Sequence, residues 1–257
     1  MKKEILQELK KIELKKDITI LYAVESGSRS WGFHSLDSDW DVRFIYSHNI
    51  DWHLSLDNKK NSFDIILDNN IDLSGWELKK TLRLFRKSNP ALLEWLTGPI
   101  IYIEKYSTVS RLRKLIPEYL NQKTLMYHYL HLALGYYKDY LRSDMVENKK
   151  YFYAFRCLFA CSWLKENKTV PPVKFIDLME HQLEDKGIKN IILQILEKKM
   201  SGEELGLEPK NIILNDYIQD KLNYYHDFLK NYEFELIPNT EKLETILKET
   251  LIEIYRE

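Results

Sequence analysis

Residues 18–24, ITILYAV, most tightly restrict the fold. The run carries no charge and is rich in β-branched and aromatic residues, so it reads as a strand buried on both faces. Residues 40–46, WDVRFIY, follow as a second strand in which polar and apolar residues alternate, as in a strand with one face in the core. Such a pair needs a sheet around it, and strand-like segments at 63–67, 71–73 and 99–103 supply one. Ile5, Leu9 and Ile12 recur at helical spacing, giving an amphipathic helix over 2–14.

Helical signals punctuate the later part of this region. Ser74-Gly75-Trp76-Glu77 fits a capping box, a hydroxyl followed three residues on by Glu, and predicts a helix from there to about Lys87. Asn89-Pro90 supplies a cap and a first-turn proline for the next helix. From about residue 107 the pattern is helical throughout. Breaks fall near Asn121, 143–148, Pro171-Pro172, Gly187, 201–209 and Pro238. The expected fold is therefore α+β. A small α/β domain over 1–105 is followed by an all-helical domain over 106–257, with a cleft between them as the natural ligand site.

Between the first two strands lies the segment that carries chemistry. Gly27-Ser28 follows strand 18–24, where a turn can present N–H groups and a hydroxyl to phosphate oxygens, and glycine permits close approach. Ten residues later come Asp39 and Asp41, two apart at a strand start. Side chains so spaced point to one face, with Cα atoms roughly 6–7 Å apart. Two carboxylates placed this way can bridge a pair of Mg²⁺ ions and so stabilise an in-line phosphoryl displacement. Mg²⁺ favours a few carboxylates plus substrate phosphates, which suits an open site. Arg29, beside the turn, and Arg43, on the Asp41 face, are candidate phosphate partners.

These residues resemble a known pattern. Gly-Ser, a short gap and Asp-x-Asp on a strand is the signature of polymerase-β-type nucleotidyltransferases. The longer strings Glu25-Ser-Gly-Ser-Arg-Ser-Trp-Gly-Phe33 and Asp37-Ser-Asp-Trp-Asp-Val-Arg-Phe-Ile-Tyr46 are similar to one branch of them. That branch is the bacterial and phage family of YcgL-type predicted nucleotidyltransferases, some described as members of an RNA repair pathway. The likeness continues through Asp72-Leu-Ser-Gly-Trp76, Lys87-Ser-Asn-Pro90, Glu94-Trp95, Lys150-Tyr-Phe-Tyr153, Arg156 and Pro171-Pro172. Trp40 stands where the family often has Tyr.

The resemblance implies a transfer of a nucleoside monophosphate from an NTP such as ATP to a hydroxyl, with release of pyrophosphate. It implies two Mg²⁺ (or Mn²⁺) ions and an RNA end as acceptor. It further implies a third metal-binding carboxylate on a neighbouring strand. Asp72 is preferred to Asp64 because a strand followed by a helix is the arrangement expected there. Lys150, Tyr153 and Arg156 fall where the likeness is strong, and they are expected to contact the triphosphate or base from the helical domain. Lys149, Tyr153 and Arg156 share a helix face by spacing, with Lys150 offset by one.

Other features divide between two readings. Lys79, Lys80, Arg83, Arg86 and Lys87 form either the solvated face of an amphipathic helix or a phosphate-backbone track. The 17 tyrosines, mostly in the second half, form either core or a base-stacking wall. His128 and His131, three apart in a helix with no third ligand in view, read as ordinary helix residues. Formal net charge is -1, so any polyanion contact must come from a local patch. The alternatives to RNA are a protein or small-molecule acceptor, or a non-catalytic, antitoxin-like partner-binding module. A ribonuclease of HEPN type needs Arg followed four to six residues later by His, and no such pair occurs in residues 106–257. Cys157 and Cys161, four apart in a helix, suggest neither a disulfide framework nor a zinc site. With no signal-type apolar segment and no long apolar run, the expected location is the cytoplasm and no membrane contact.

Overall fold

The computed structural model describes residues 1–202, 206–234 and 239–256. The chain forms two compact units. One comprises Met1–Ser30, Asp39–Tyr119 and Ile237–Glu257; the other comprises Trp31–Ser38 and Leu120–Leu236.

The first unit is built on a five-stranded sheet of order β3-β4-β2-β1-β5, with β1 Ile18–Glu25, β2 Trp40–His48, β3 Ser62–Leu67, β4 Ile71–Glu77 and β5 Ile101–Glu104. The β3–β4 hairpin turns at Asn70, whose φ of 59° lies in the left-handed region that asparagine tolerates. Because β3 and β4 run antiparallel, β4 runs parallel to β2, with Asp41 opposite Asp72 and Tyr46 opposite Glu77. Helix α1, Lys2–Lys16, covers one sheet face. Its Ile5, Leu9 and Ile12 pack on Ala23, Val42, Phe44, Ile71 and Leu73, as the period of the sequence requires.

The capping-box reading of residues 74–77 is corrected. Pairing with β2 and β3 keeps the backbone extended through Glu77, so β4 is longer than 71–73 and α4 starts at Leu78, ending at Arg86. Glu77 is the cap, and its Oε2 accepts from the N–H groups of Lys79 (2.7 Å) and Lys80 (3.3 Å). Local propensity at Ser74 loses to two ladders of sheet hydrogen bonds. Asn89 does cap α5 (Pro90–Thr97), accepting from Leu92 N at 3.0 Å.

The units exchange segments relative to a division at residue 105. Helix α6 (Thr108–Tyr119) stays with the sheet because the C-terminal helix, spanning Glu241–Tyr255, is fastened to it. Thr108 and Thr250 hydroxyls lie 2.7 Å apart, Ser107 N donates to Glu253 at 2.8 Å, and Arg111 pairs with Glu249. Conversely, Trp31–Ser38 belongs to the helical unit because Phe33 is buried against Phe152 and Phe175.

The helical unit contains α7 (Gln122–Tyr136), a π-helical segment at Tyr137–Leu141, α8 (Lys149–Asn167), α9 (Phe175–Gln182), α10 (Lys186–Met200) and α11 (Ile212–Lys230). It is not all-helical. The breaks expected at 143–148 and 201–209 contain Met145–Glu147 and Leu207–Pro209, which pair as a two-stranded ribbon, β6–β7. Many tyrosines here are core: Tyr129, Tyr151 and Tyr225 are buried, and Tyr151 Oη donates to Asn215 Oδ1 at 2.6 Å.

Short helix α3, Ile50–Leu54, places His53 beside Glu77 at the end of the sheet remote from Asp72. The Ser47 hydroxyl donates to His48 O, and His53 Nε2 lies 3.2 Å from Ser47 Oγ. Burial raises the Glu77 carboxyl to about 7 and lowers the His53 imidazole to about 4. Glu77 keeps a proton that the unfolded chain has released, so its contribution to stability falls as pH rises from about 4.5 to about 7. Neutral His53 acts oppositely, adding stability as pH rises from about 4 to about 6.5. We expect the two slopes to offset in the wild type. In Glu77→Gln, urea midpoints should rise with pH between 4 and 6.5, and in His53→Gln they should fall between 4.5 and 7. Parallel profiles in all three proteins would show that these groups are not buried as described.

Candidate active site

Alternation along β4 puts Asp72, Ser74 and Trp76 on the face opposite α1, and parallel register aligns them with Asp41, Arg43 and Ile45 of β2. Trp76 is covered by Trp95 of α5, ring centres 3.9 Å apart. The starts of β2 and β4 remain partly open, and the acids stand there.

Arg43 lies between two of them. Its Nη2 is 2.9 Å from Asp41 Oδ1 and 2.9 Å from Asp72 Oδ2, and its Nη1 donates to Asp72 O at 3.3 Å. Asp64, also on this face, sits opposite Ser74 and accepts its hydroxyl at 2.6 Å, one strand farther out. Of the two candidates for a third acid, it is Asp72 that the structure sets beside Asp41.

Asp41 is held by its main chain. Glu25, at the end of β1 and 1% exposed, accepts from Asp41 N at 2.9 Å, while Ser26 N donates to Asp41 O at 2.8 Å. Tyr102 of β5 donates to the other Glu25 oxygen at 2.5 Å. Sequence reading singled out the string from Glu25 to Phe33 but gave Glu25 no role. A buried acid directly before the Gly-Ser turn was the available signal.

Burial raises the Asp41 carboxyl above its ordinary value, Arg43 opposes this, and Asp72 and Asp39 add to it. The patch thus has an excess of negative charge that one guanidinium meets in part. Among the described residues, no three His, Cys, Asp or Glu side chains converge as a metal cluster. Asp41 and Asp72 turn to Arg43, and Asp39 is exposed. Divalent cations answer the same demand for positive charge, and open carboxylates are the donors that Mg²⁺ prefers, so these residues fit the ion.

Gly27 opens a single helical turn, α2, Gly27–Trp31. Its φ is +59°, and a Cβ there would lie 2.0 Å from Asp41 Oδ2. The glycine is what lets the turn that follows β1 press against the acid. Arg29 Nε donates to Asp39 O at 3.1 Å, and its guanidinium lies 3.7 Å from the centre of the Trp40 ring. Arg29 and Arg43, read as phosphate partners, are thus both tied into the acid patch.

In the helical unit, the expected residues gather around Trp31, three positions from Ser28 along the chain. Tyr153 meets the Trp31 ring edge-on at 5.7 Å and stacks on Tyr136 at 5.3 Å. Arg156, 6% exposed, stands over Trp31 at 4.4 Å. Lys150 Nζ lies 3.8 Å from the Tyr140 ring and 5.8 Å from that of Tyr153, whereas Lys149 pairs with Glu147. The basic stripe of α4 does not act as one track. Lys79 donates to His53 O, Lys80 lies over Trp76 and Arg86 donates to Thr240.

In an assay of the activity proposed below, Gly27→Ala should cut turnover more than ten-fold, because it combines left-handed strain of about 1–2 kcal/mol with a clash against Asp41. Gly32→Ala, where φ is +82° and nothing lies within 4 Å of the added Cβ, separates strain from clash in the same steady-state assay. Equal effects would remove Asp41 contact as the cause. Glu25→Ala leaves the Asp41 N–H without its acceptor, at a cost of about 1–3 kcal/mol. Glu25→Gln should restore most of the melting temperature and activity, and its failure to do so would assign Glu25 a role beyond that hydrogen bond.

Residues 1–249 match the family described as RNA repair pathway DNA polymerase beta family. The chain is 40% identical over 257 residues to "Uncharacterized protein YcgL" of Bacillus subtilis (strain 168), covering 100% of this chain and 99% of that protein. A solved nucleotidyltransferase-like protein from Exiguobacterium sibiricum 255-15 aligns with 96% of this chain and 79% of its own, at 14% identity and a TM-score of 0.33. No helix among the described residues is long and apolar enough to cross a membrane. With nearly its whole length matched and a sheet that sets paired acids after a Gly-Ser turn, this chain belongs to the RNA repair pathway DNA polymerase beta family.

Proposed function

We propose that this chain moves a nucleoside monophosphate from an NTP to a hydroxyl, with an RNA end as acceptor. The observation that carries this reading is the opposition of Asp41 and Asp72 across a parallel strand pair, at an open sheet end pressed by Gly27. Asp39, Asp41 and Asp72 would hold two Mg²⁺ (or Mn²⁺) ions, which when bound neutralise charge on the attacking and leaving oxygens.

The chain's own residues do the rest. The acceptor oxygen forms a bond to the α-phosphorus, the bond from that phosphorus to the bridging oxygen of pyrophosphate breaks, and the hydroxyl proton passes to solvent or to Asp72. Gly27, having no Cβ, leaves room for a phosphate beside the turn, with Ser28 Oγ and Arg29 as its partners. Arg43, within 2.9 Å of both, keeps Asp41 and Asp72 aligned. Arg156, Lys150 and Tyr153 bind triphosphate and base. A planar guanidinium can bond two phosphate oxygens, and stacking on a tyrosine contributes roughly 1–3 kcal/mol per base.

RNA as acceptor rests on family membership. A near-neutral net charge of -1 is the observation that favours a second reading, transfer to a protein or small molecule. Incubation with each labelled NTP, Mg²⁺ or Mn²⁺ and RNAs with defined ends separates the two by whether label appears on RNA or on protein.

In that assay Asp39→Ala or Asp41→Ala should reduce transfer at least 100-fold with an unchanged or higher melting temperature, since either change relieves repulsion among the acids. Loss of activity only together with unfolding would count against the metal role. Arg156→Ala should raise the NTP dissociation constant ten-fold or more with Mg²⁺ present. Unchanged affinity with a lowered melting temperature would make Arg156 a structural tie to Trp31.

A further inference from the structure

A second polar cavity lies at the other end of the sheet from the acids. Glu77 is five residues from Asp72 along β4, about 16 Å at the strand rise. The cavity is about 120 Å³ and is lined by His53, Glu77, Asn61, Lys59, Lys79 and Arg83, with the flat ring of Trp52 at its edge.

Its interior is unusual for a structural void. The Glu77 and His53 side chains are 0% and 4% exposed, yet Glu77 Oε1 and His53 Nδ1 have no hydrogen-bond partner among the described residues. The imidazole cannot serve the carboxylate, since its Nε2 is 3.8 Å from Glu77 Oε1 and turned to Ser47. Each orphan atom is an unmet hydrogen-bonding position: the other Glu77 oxygen is filled by the α4 amides, so Oε1 donates while the carboxyl holds its proton and accepts once it is released, and His53 Nδ1 is open beside it. Each such atom left bare costs about 1–3 kcal/mol. A guest must therefore bring hydrogen-bonding groups, donor and acceptor, inward.

The mouth asks for the opposite charge. Lys59 and Arg83 have no acidic partner among the described residues, and Lys79 Nζ is held beside the cavity by His53 O at 3.0 Å. Against these three cations stands one lining carboxylate outside the interior, Asp57. A bare metal cation is repelled by that rim, and a simple anion does not serve two buried, unpartnered polar atoms. A flat ring bearing ring nitrogens and amino groups, and joined to a phosphate, satisfies both ends.

We propose that this cavity binds a phosphorylated nucleoside, with the hydrogen-bonding edge of its base toward Glu77 and His53 and its phosphate at Lys59, Lys79 and Arg83. The same chemistry is presented by a free mononucleotide and by a nucleotide within an RNA strand. The site is separate from the acid patch and does not depend on the transfer reaction proposed above. It gives part of the α4 basic stripe a role that the active site leaves unassigned.

Calorimetric titration of the full chain in EDTA, with each of the four ribonucleoside monophosphates, a short oligoribonucleotide and inorganic phosphate, tests this. At least one monophosphate or the oligonucleotide should bind with a dissociation constant below about 1 mM. Arg83→Ala and Lys59→Ala should each weaken it ten-fold or more with unchanged melting temperatures, while the double variant Asp41→Ala/Arg156→Ala should bind as wild type. Binding by monophosphates identifies a free nucleotide, and binding by the oligonucleotide alone identifies a strand. Three results would overturn the proposal: no binding, binding insensitive to Arg83 and Lys59, or inorganic phosphate bound as tightly as any nucleotide.

Discussion

Carboxylates gathered at one end of a sheet repel each other, and in this chain the guanidinium of Arg43, with Arg29 beside it, makes their assembly tolerable. Arg43 reaches Asp41 on its own strand and Asp72 on the next, each at 2.9 Å. That reach exists only because β2 and β4 run parallel in a register that sets Asp41 opposite Asp72. A shift of one residue would turn Asp72 into the α1 face, where Leu73 now packs. The hydrophobic burial under α1 and the charge pairing above it therefore fix the same register, and neither could move without the other.

The rest of the first unit supports that point. Asp41 is gripped through its backbone by Glu25 and Ser26, and Glu25 is steadied by Tyr102 from the far side of β1. Three strands thus converge on one residue. The close approach of Gly27 to the Asp41 carboxylate completes the enclosure on the turn side. Arrangement of this kind suits a centre that must hold charge in a set geometry, since groups locked by their neighbours need little reorganisation when a polyanionic substrate arrives.

At the opposite end of the same sheet the electrostatics are inverted. Glu77 and His53 are both driven toward neutrality by burial, one upward and one downward, and cations line the opening beside them. One strand, β4, carries an acid paired with Arg43 at its start and a proton-holding acid at its end. The difference is solvent: the Asp72 side chain is 33% exposed and paired with Arg43, whereas that of Glu77 is fully buried.

Much of this was legible in the residues themselves. The uncharged run 18–24, the alternation of 40–46 and the helical spacing of Ile5, Leu9 and Ile12 are local patterns, and each specifies its element through burial periodicity. Gly27, Ser28, Asp39 and Asp41 stand out as a candidate site from the sequence because they are close along the chain and regularly spaced. The choice of Asp72 over Asp64 is different in kind. Both lie on strands, and only the hairpin turn at Asn70 and the pairing order β3-β4-β2 decide which one adjoins Asp41. The same holds for Arg43, whose two carboxylate partners lie 2 and 29 positions away. It holds for the end of β4, where long-range ladders outweigh a local capping signal. The ribbon joining 145–147 to 207–209 and the return of the C-terminal helix to α6 also depend on contacts between residues far apart in the chain. Local periodicity is written in each segment, but which segments meet is settled only when the whole core is buried at once.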